Sequence, residues 1–219
     1  MGILIDLHIH TRLHSPCSQI DPEKLVHQAV KAGLHGLVIT EHQYQWKEED
    51  LAGLGARADE RCFLLMTGFE YASSRGDILI YGLGQGDSVA HPPGLPPEAV
   101  VNMVHERGGV CIAAHPTRAG MGFDERVLTM GVDAIEVRSG NLKEHEQRLA
   151  VQLAADAGLR PVTSSDAHNI HDVGKYVTEF ADPIRSMADL VAAIRKGRFR
   201  PGEHARAGVS MGDKLREGQ

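Results

Sequence analysis

Apolar residues come along this chain in short runs, and most runs are separated from the next by a segment with helical periodicity. Residues 2–10, Gly-Ile-Leu-Ile-Asp-Leu-His-Ile-His, read as a strand whose alternate side chains share a face, with Asp6, His8 and His10 on one side and Ile5, Leu7 and Ile9 on the other. Asp21-Pro22-Glu23 is a helix start, with Asp21 as the cap and proline at the first helical position. That helix covers 22–32, turns Leu25, Val26, Ala29 and Val30 inward, and stops at Gly33. A strand over 36–40 then runs into Glu41-His42. Strand, helix, strand implies a parallel pair.

The pattern repeats. A charged helix over 46–61 precedes a strand at 63–67 that ends in Gly68-Phe69-Glu70, and a strand at 77–83 precedes a Gly/Pro-rich loop over 84–97 that carries His91. A helix over 97–106 leads to a strand at 110–114, which Pro116 ends just past His115. A short helix over 124–130, a strand at 132–137, a helix over 142–157 closed by Gly158 and a strand at 160–164 follow, the last running into Ser165-Asp166-Ala167-His168. Beyond lie a strand at 176–180 and a helix over 186–196, capped by Ser186 and ended by Gly197. One domain over 1–200 with a flexible tail over 201–219 is the expected organisation. Ionisable residues follow the first, second, third, fifth and seventh strands. Open sheets gather ligands around a switch point between a few strands, so convergence of this many strand ends favours a barrel with its site at the C-terminal ends.

Composition narrows the chemistry. The 219 residues are 42% hydrophobic and 24% charged, as in an ordinary globular protein, and the net charge of −6 argues against a broad nucleic-acid-binding or membrane-binding surface. Cys17, Cys62 and Cys111 are too few and too scattered for a disulfide framework, and neither a signal peptide nor a membrane-spanning run is evident, so a cytoplasmic location is expected. The 13 histidines outnumber the 4 tyrosines and 5 phenylalanines together, which fits metal binding or proton transfer.

Asp6-Leu7-His8-Ile9-His10-Thr11, Ile39-Thr40-Glu41-His42, Gly68-Phe69-Glu70, Ala114-His115-Pro116 and Ser165-Asp166-Ala167-His168, in that order and at strand ends, resemble the signature of the PHP (polymerase and histidinol phosphatase) family. The resemblance runs from about Ile3 to His168 and continues in Val173-Gly174 and Thr178-Glu179-Phe180. It implies a distorted (β/α)7 barrel, TIM-barrel-like, holding two or three divalent metal ions that hydrolyse phosphoesters. By the same resemblance His8, His10, Glu70 and Asp166 bind a first ion, Glu70 bridges to a second held by His115, and His42 and His168 hold a third. Neutral imidazole mixed with carboxylate suits Zn, Mn or Fe.

Two positions depart from the family pattern. The loop after His10 usually supplies an Asp or His to the third ion, and here Cys17 falls at that place with His14 nearby; a thiolate would favour zinc. A histidine on or after the fourth strand is replaced by Asp77 at that strand's start or His91 in the loop beyond, of which Asp77 is preferred. Asp6 is a ligand or, preferably, a partner that orients an imidazole. Arg12 and Arg118, each two residues past a signature element, are candidates to bind a phosphate, and Asp166 or His168 to pass a proton to the leaving group. His27, His35, His105 and His145 read as surface or internally satisfied histidines, and His171 and His204 as solvent-exposed. The expected substrate is a small phosphomonoester or the phosphate of a nucleotide or oligonucleotide end. The alternatives are an amidohydrolase-like hydrolase of C–N or C–O bonds, whose bridging lysine has no counterpart at the strand ends here, and a non-catalytic metal-binding scaffold.

Overall fold

The structure is a computed structural model that describes residues 2–57, 63–84, 92–123 and 129–202. In chain order it contains β1 (Ile3–Ile9), α1 (Pro22–Lys31), β2 (Gly36–Ile39), α2 (Glu48–Arg57), β3 (Leu64–Thr67), β4 (Phe69–Ser73), β5 (Gly76–Tyr81), α3 (Pro97–Glu106) and β6 (Val110–Ala113). Then follow β7 (Ala134–Arg138), α4 (Glu144–Ala157), β8 (Pro161–Thr163), a 3-10 turn (Ile170–Asp172), β9 (Val177–Phe180), α5 (Met187–Lys196) and β10 (Phe199–Gly202). The helix boundaries follow from their caps. Asp21 Oδ1 accepts from Glu23 N at 3.2 Å with proline behind it, Ser186 Oγ accepts from Asp189 N at 3.2 Å, and α4 and α5 stop at Gly158 and Gly197, both in the left-handed conformation.

The strands form two five-stranded sheets, ordered β10-β9-β1-β2-β3 and β4-β5-β6-β7-β8. Both are mixed. β1, β2 and β3 are parallel, as are β6, β7 and β8, whereas β5 is antiparallel to both its neighbours and β9 to both of its own. Among the described residues the strands therefore make two mixed sheets and not the expected closed seven-stranded barrel. β3 passes into β4 through Gly68, where a Cβ would collide with the Ile80 carbonyl oxygen. On the other side Thr163 and Thr178 exchange hydrogen bonds between β8 and β9, and the chain past β8 pairs with the end of β1, His10 N donating to Ala167 O at 3.2 Å. Between the sheets lies a core of Ile5, Leu7, Val38, Leu79, Tyr81, Ile112 and Phe180, closed by Leu190 and Ile194 of α5. The outer faces are covered by α1 and α2 on one sheet and by α3 and α4 on the other.

Three local differences from the sequence reading bear on the site. Gly68-Phe69-Glu70 leads into a further strand, β4, and β10 (Phe199–Gly202) takes in the first two residues of the expected tail, 201 and 202. The alternation along β1 breaks: its register on β2 shifts between Asp6 and Ile9, so Ile5 and Leu7 enter the inner core while Ile9 packs outward with Leu37 and Ile39. That change of phase separates Asp6 from His8 and His10. The expected helix at 124–130, His91, Cys62 and the stretch 203–219 lie largely or wholly outside the described residues.

Candidate metal centre

β1 carries His8 near its end and His10 just past it, both fully buried, with their Nε2 atoms 3.0 Å apart. Glu136 and Ser15 each stand within hydrogen-bond reach of one Nδ1; with the protons on those nitrogens the two Nε2 lone pairs face each other, an arrangement that a cation between them would relieve. Oxygens of two carboxylates face the same point. Asp166 Oδ1 lies 3.5 Å from His8 Nε2 and 3.4 Å from His10 Nε2, and Glu70 places Oε1 3.6 Å from the first and Oε2 3.3 Å from the second. His42 Nδ1 approaches Glu70 Oε2 at 2.8 Å, His115 Nε2 approaches Glu70 Oε1 at 3.0 Å, and Asp77 Oδ2 stands 3.9 Å from His115 Nε2. Despite these approaches Glu70 Oε2 is buried without a well-aligned hydrogen bond, a condition a bound cation would relieve.

Among the described residues four groups have donor atoms within 4.8 Å of one another: His8, His10 and Glu70; His8, His115 and Asp166; Glu70, Asp77 and His115; and His10, His42 and His168. The antiparallel course of β5 explains how Asp77 reaches the site. Its first residues lie beside the end of β6, with Ala114 N donating to Asp77 O at 2.9 Å, so Asp77 meets His115 although it begins a strand. His115 and Asp166 have φ of 26° and 49°, left-handed backbone that non-glycine residues seldom adopt, which marks two turns held in place for their side chains.

Charge in the cluster is tightly balanced. Burial alone would lower the His8 pKa, but Asp166, Glu70 and Glu136 outweigh it and hold the imidazolium form well above the usual range. Burial would raise the Glu70 pKa, and His8, His115 and His42 pull it well below the ordinary value. Asp166 is lowered too, His8 and His10 overcoming the burial penalty. Asp77 is pushed up to about 6 by burial and by the Glu70 charge. The donor set of buried imidazoles and ionised carboxylates fits a divalent ion of the Zn, Mn or Fe kind.

A layer behind these residues fixes them. Glu136, wholly buried on β7, accepts from His8 Nδ1 at 3.3 Å, from His115 N at 2.8 Å and from the Ser164 hydroxyl. Glu41 accepts from Thr11 N at 3.0 Å, from the Thr11 and Ser15 hydroxyls at 2.5 Å each and from Trp46 Nε1 at 2.9 Å, while Ser15 Oγ lies 3.3 Å from His10 Nδ1. Asn141 donates to Asp166 Oδ2 at 2.7 Å, leaving Oδ1 for the cluster. Sequence reasoning did not single out Glu136, Glu41 or Asn141 for these roles. Glu136 and Glu41 carried a signal nonetheless: a carboxylate inside an otherwise apolar strand or strand exit has to be paired when buried. Asp6 does not orient an imidazole. It accepts from Ser165 N and Gly174 N at 2.9 Å each and ties β1 to the segments after β8.

Other candidates fall outside the cluster. Cys17 is exposed and joins none of the four groups, and His14 stacks on Tyr44 instead. Arg12 pairs with Asp21 at 2.8 Å, whereas the half-buried Arg118 makes no ion pair among the described residues. The Arg118 loop is anchored on α4, with Ala119 N donating to Glu146 Oε1 at 2.9 Å. His105 is satisfied by Asp133 at 2.9 Å, His35 Nδ1 accepts from Leu4 N of β1 at 3.0 Å, and His27, His145 and His171 are exposed.

Residues 144–199 match the PHP-associated family, a segment that includes Asp166 and His168. An uncharacterized protein of Methanocaldococcus jannaschii is 28% identical over 144 residues, covering 60% of this chain and 79% of its own. Among solved structures, PsfC from Pseudomonas syringae superposes with a TM-score of 0.71 at 20% identity, over 94% of each chain. A two-domain protein from Bacteroides vulgatus, containing a predicted PHP-like metal-dependent phosphoesterase, does so with a TM-score of 0.71 at 18% identity, over 93% of this chain and 65% of that one. At such identities the structures carry the fold, a mixed α/β architecture similar to that of a PHP-like protein, and the family match is confined to residues 144–199.

Proposed function

We propose that this chain is a metal-dependent phosphoesterase whose ions are held by the eight side chains His8, His10, His42, Glu70, Asp77, His115, Asp166 and His168. The observation that carries the reading is the convergence of His8 and His10 Nε2, 3.0 Å apart, on oxygens of both Glu70 and Asp166. His8, His10, Glu70 and Asp166 would hold one ion. Glu70 would bridge to a second with His115 and Asp77, and His42 and His168 would hold a third beside His10. When bound, such ions supply positive charge to a phosphoryl group and acidify a water toward neutral pH.

The chain's own residues do the rest. Asp166 offers Oδ1 to the cluster because Asn141 occupies Oδ2. His168 Nδ1 lies 3.0 Å from the Asp166 carbonyl oxygen, so that nitrogen donates and Nε2 is left to bind an ion or carry a proton to the leaving group. His168 and His42 are the solvent-facing members, with side chains 23% and 45% exposed against 2% or less for His8, His10, Glu70, His115 and Asp166, so substrate enters on their side. Arg118, which has no carboxylate partner among the described residues, is better placed than Arg12, paired with Asp21, to meet a phosphate with its planar fork.

The substrate class is a phosphomonoester or a nucleotide or oligonucleotide phosphate. The test is hydrolysis of p-nitrophenyl phosphate, its bis ester and short oligonucleotides by protein supplied with Mn, Zn or Fe, beside a His8→Ala/His10→Ala double variant. Turnover that needs metal and disappears in the variant supports the reading. Absence of turnover with every metal, or equal turnover by the variant, overturns it.

A further inference from the structure

The loop after β1 and the segment after His42 bring three aromatic rings together beside the metal centre. The rings of His14 and Tyr44 stack with centroids 3.9 Å apart and planes 22° from parallel, and Trp46 meets His14 edge-on at 5.1 Å. Trp46 is buried, its indole N–H held by Glu41, while His14 and Tyr44 are both partly exposed. Tyr44 stacks on one face of the imidazole, and His14 stays partly exposed to solvent. No hydrogen bond holds the His14 ring nitrogens among the described residues, so packing on Tyr44 and Trp46 sets the ring's position.

This stack is anchored to the centre through the backbone. Ser15, the next residue after His14, places its hydroxyl 3.3 Å from His10 Nδ1 and accepts from His42 N at 3.2 Å. Tyr44 is two residues past His42. Between them Gln43, with φ of 54°, turns the chain while its N donates to Glu70 O at 2.8 Å. The two ring-bearing segments therefore leave the site next to Ser15 and His42, the second of these being the most exposed member of the cluster.

We propose that His14, backed by Tyr44 and Trp46, is a stacking platform for a flat aromatic group carried by the phosphoester, so that the site prefers nucleoside or aryl phosphates to aliphatic ones. This assignment rests on the phosphoesterase reading. Aromatic side chains bind bases by stacking with little dependence on base identity, and a partly exposed imidazole lying on a tyrosine offers such a face.

The test uses the Mn-loaded full chain with two matched pairs: AMP against ribose 5-phosphate, and phenyl phosphate against glycerol 1-phosphate. The expected result is that His14→Ala lowers the ratio of kcat/KM for the aromatic over the aliphatic ester by about tenfold in at least one pair, as loss of a stacked ring does. His14→Phe, which keeps a flat ring at the position, should restore the ratio to within about twofold of the parent. A ratio unmoved in both pairs by His14→Ala, or left low by His14→Phe, overturns the platform. Titrations followed by fluorescence of Trp46, the single tryptophan, separate this failure from failure of the phosphoesterase reading. Tighter binding of AMP than of ribose 5-phosphate, lost in His14→Ala, upholds the platform even without hydrolysis. Equal binding of the two refutes it.

Discussion

Replacing Glu136 by Gln tests whether the layer behind the cluster supports the metal centre or merely fills the core. The side chain is 0% exposed, and its oxygens accept from His8 Nδ1, from His115 N and from the Ser164 hydroxyl. Glutamine keeps the volume but has one acceptor oxygen, so its amide N–H₂ must face either the His115 N–H or the His8/Ser164 side. Ser164 can rotate its hydroxyl and accept; the His115 N–H cannot. The amide oxygen therefore turns to His115, and His8 Nδ1 loses a charged acceptor. Loss of a charge-assisted hydrogen bond between buried groups costs about 1.5–3 kcal/mol, which lowers Tm by about 3–12 °C in a chain of this size. Removal of the carboxylate behind a ligating histidine typically weakens metal binding about 10–100-fold, or about 1.4–2.7 kcal/mol. Chelator-competition titration with Mn and Zn, beside thermal unfolding of the metal-free protein, reads both quantities. If Tm falls while both metal affinities stay within about twofold of the parent, the argument that Glu136 sets the His8 ring for an ion is refuted.

Three further outcomes follow from the same geometry. Metal affinity should rise with pH over about 5.5–8, because Asp77 takes up a proton as pH falls through about 6 and His42 and His115, whose Glu70 partner outweighs the lowering effect of burial, keep theirs above the ordinary imidazole value; titrations at several pH values check it, and a flat profile contradicts it. Adding an ion at 100 times its dissociation constant should stabilise the fold by about 2.7 kcal/mol, raising Tm by about 5–11 °C, and EDTA should reverse the shift in a thermal melt. Cys17→Ser should leave metal content and affinity unchanged, since the thiol is exposed and outside every cluster; loss of an ion in that variant would show that the loop carries the thiol into the site.

Much of the cluster was legible in the sequence because candidate ligands at strand ends are written as short motifs. His8 and His10, Glu70, His115, Asp166 and His168 each sit at the end of an apolar run, and a fold that aligns its strands brings those ends together. Strand direction was not written in that way. β5 reads as one more apolar run, and only its antiparallel pairing with β4 and β6 brings Asp77 beside His115. β4 was hidden because its pattern is short and follows β3 after a single glycine, and the phase change in β1 because a register shift leaves no mark on the alternation of residues. Glu136 and Glu41 depend on tertiary partners, Ser164 and Trp46 among them, that local pattern does not pair. His14 was drawn toward the metal by its neighbourhood in sequence, whereas its ring stacks on Tyr44 and joins none of the four donor groups.

The most direct measurement of the central claim is the metal content of the full chain after reconstitution and removal of free ions, by elemental analysis, for the parent protein and for Glu70→Ala. Glu70 touches His8, His10, His42 and His115 within 3.6 Å, so every ion of the cluster depends on it directly or through a shared imidazole. The account predicts two or three divalent ions per parent chain and the loss of at least two in the variant, with the variant still folded by circular dichroism. A parent chain that retains no stoichiometric ion, or a folded variant that retains all of them, contradicts it.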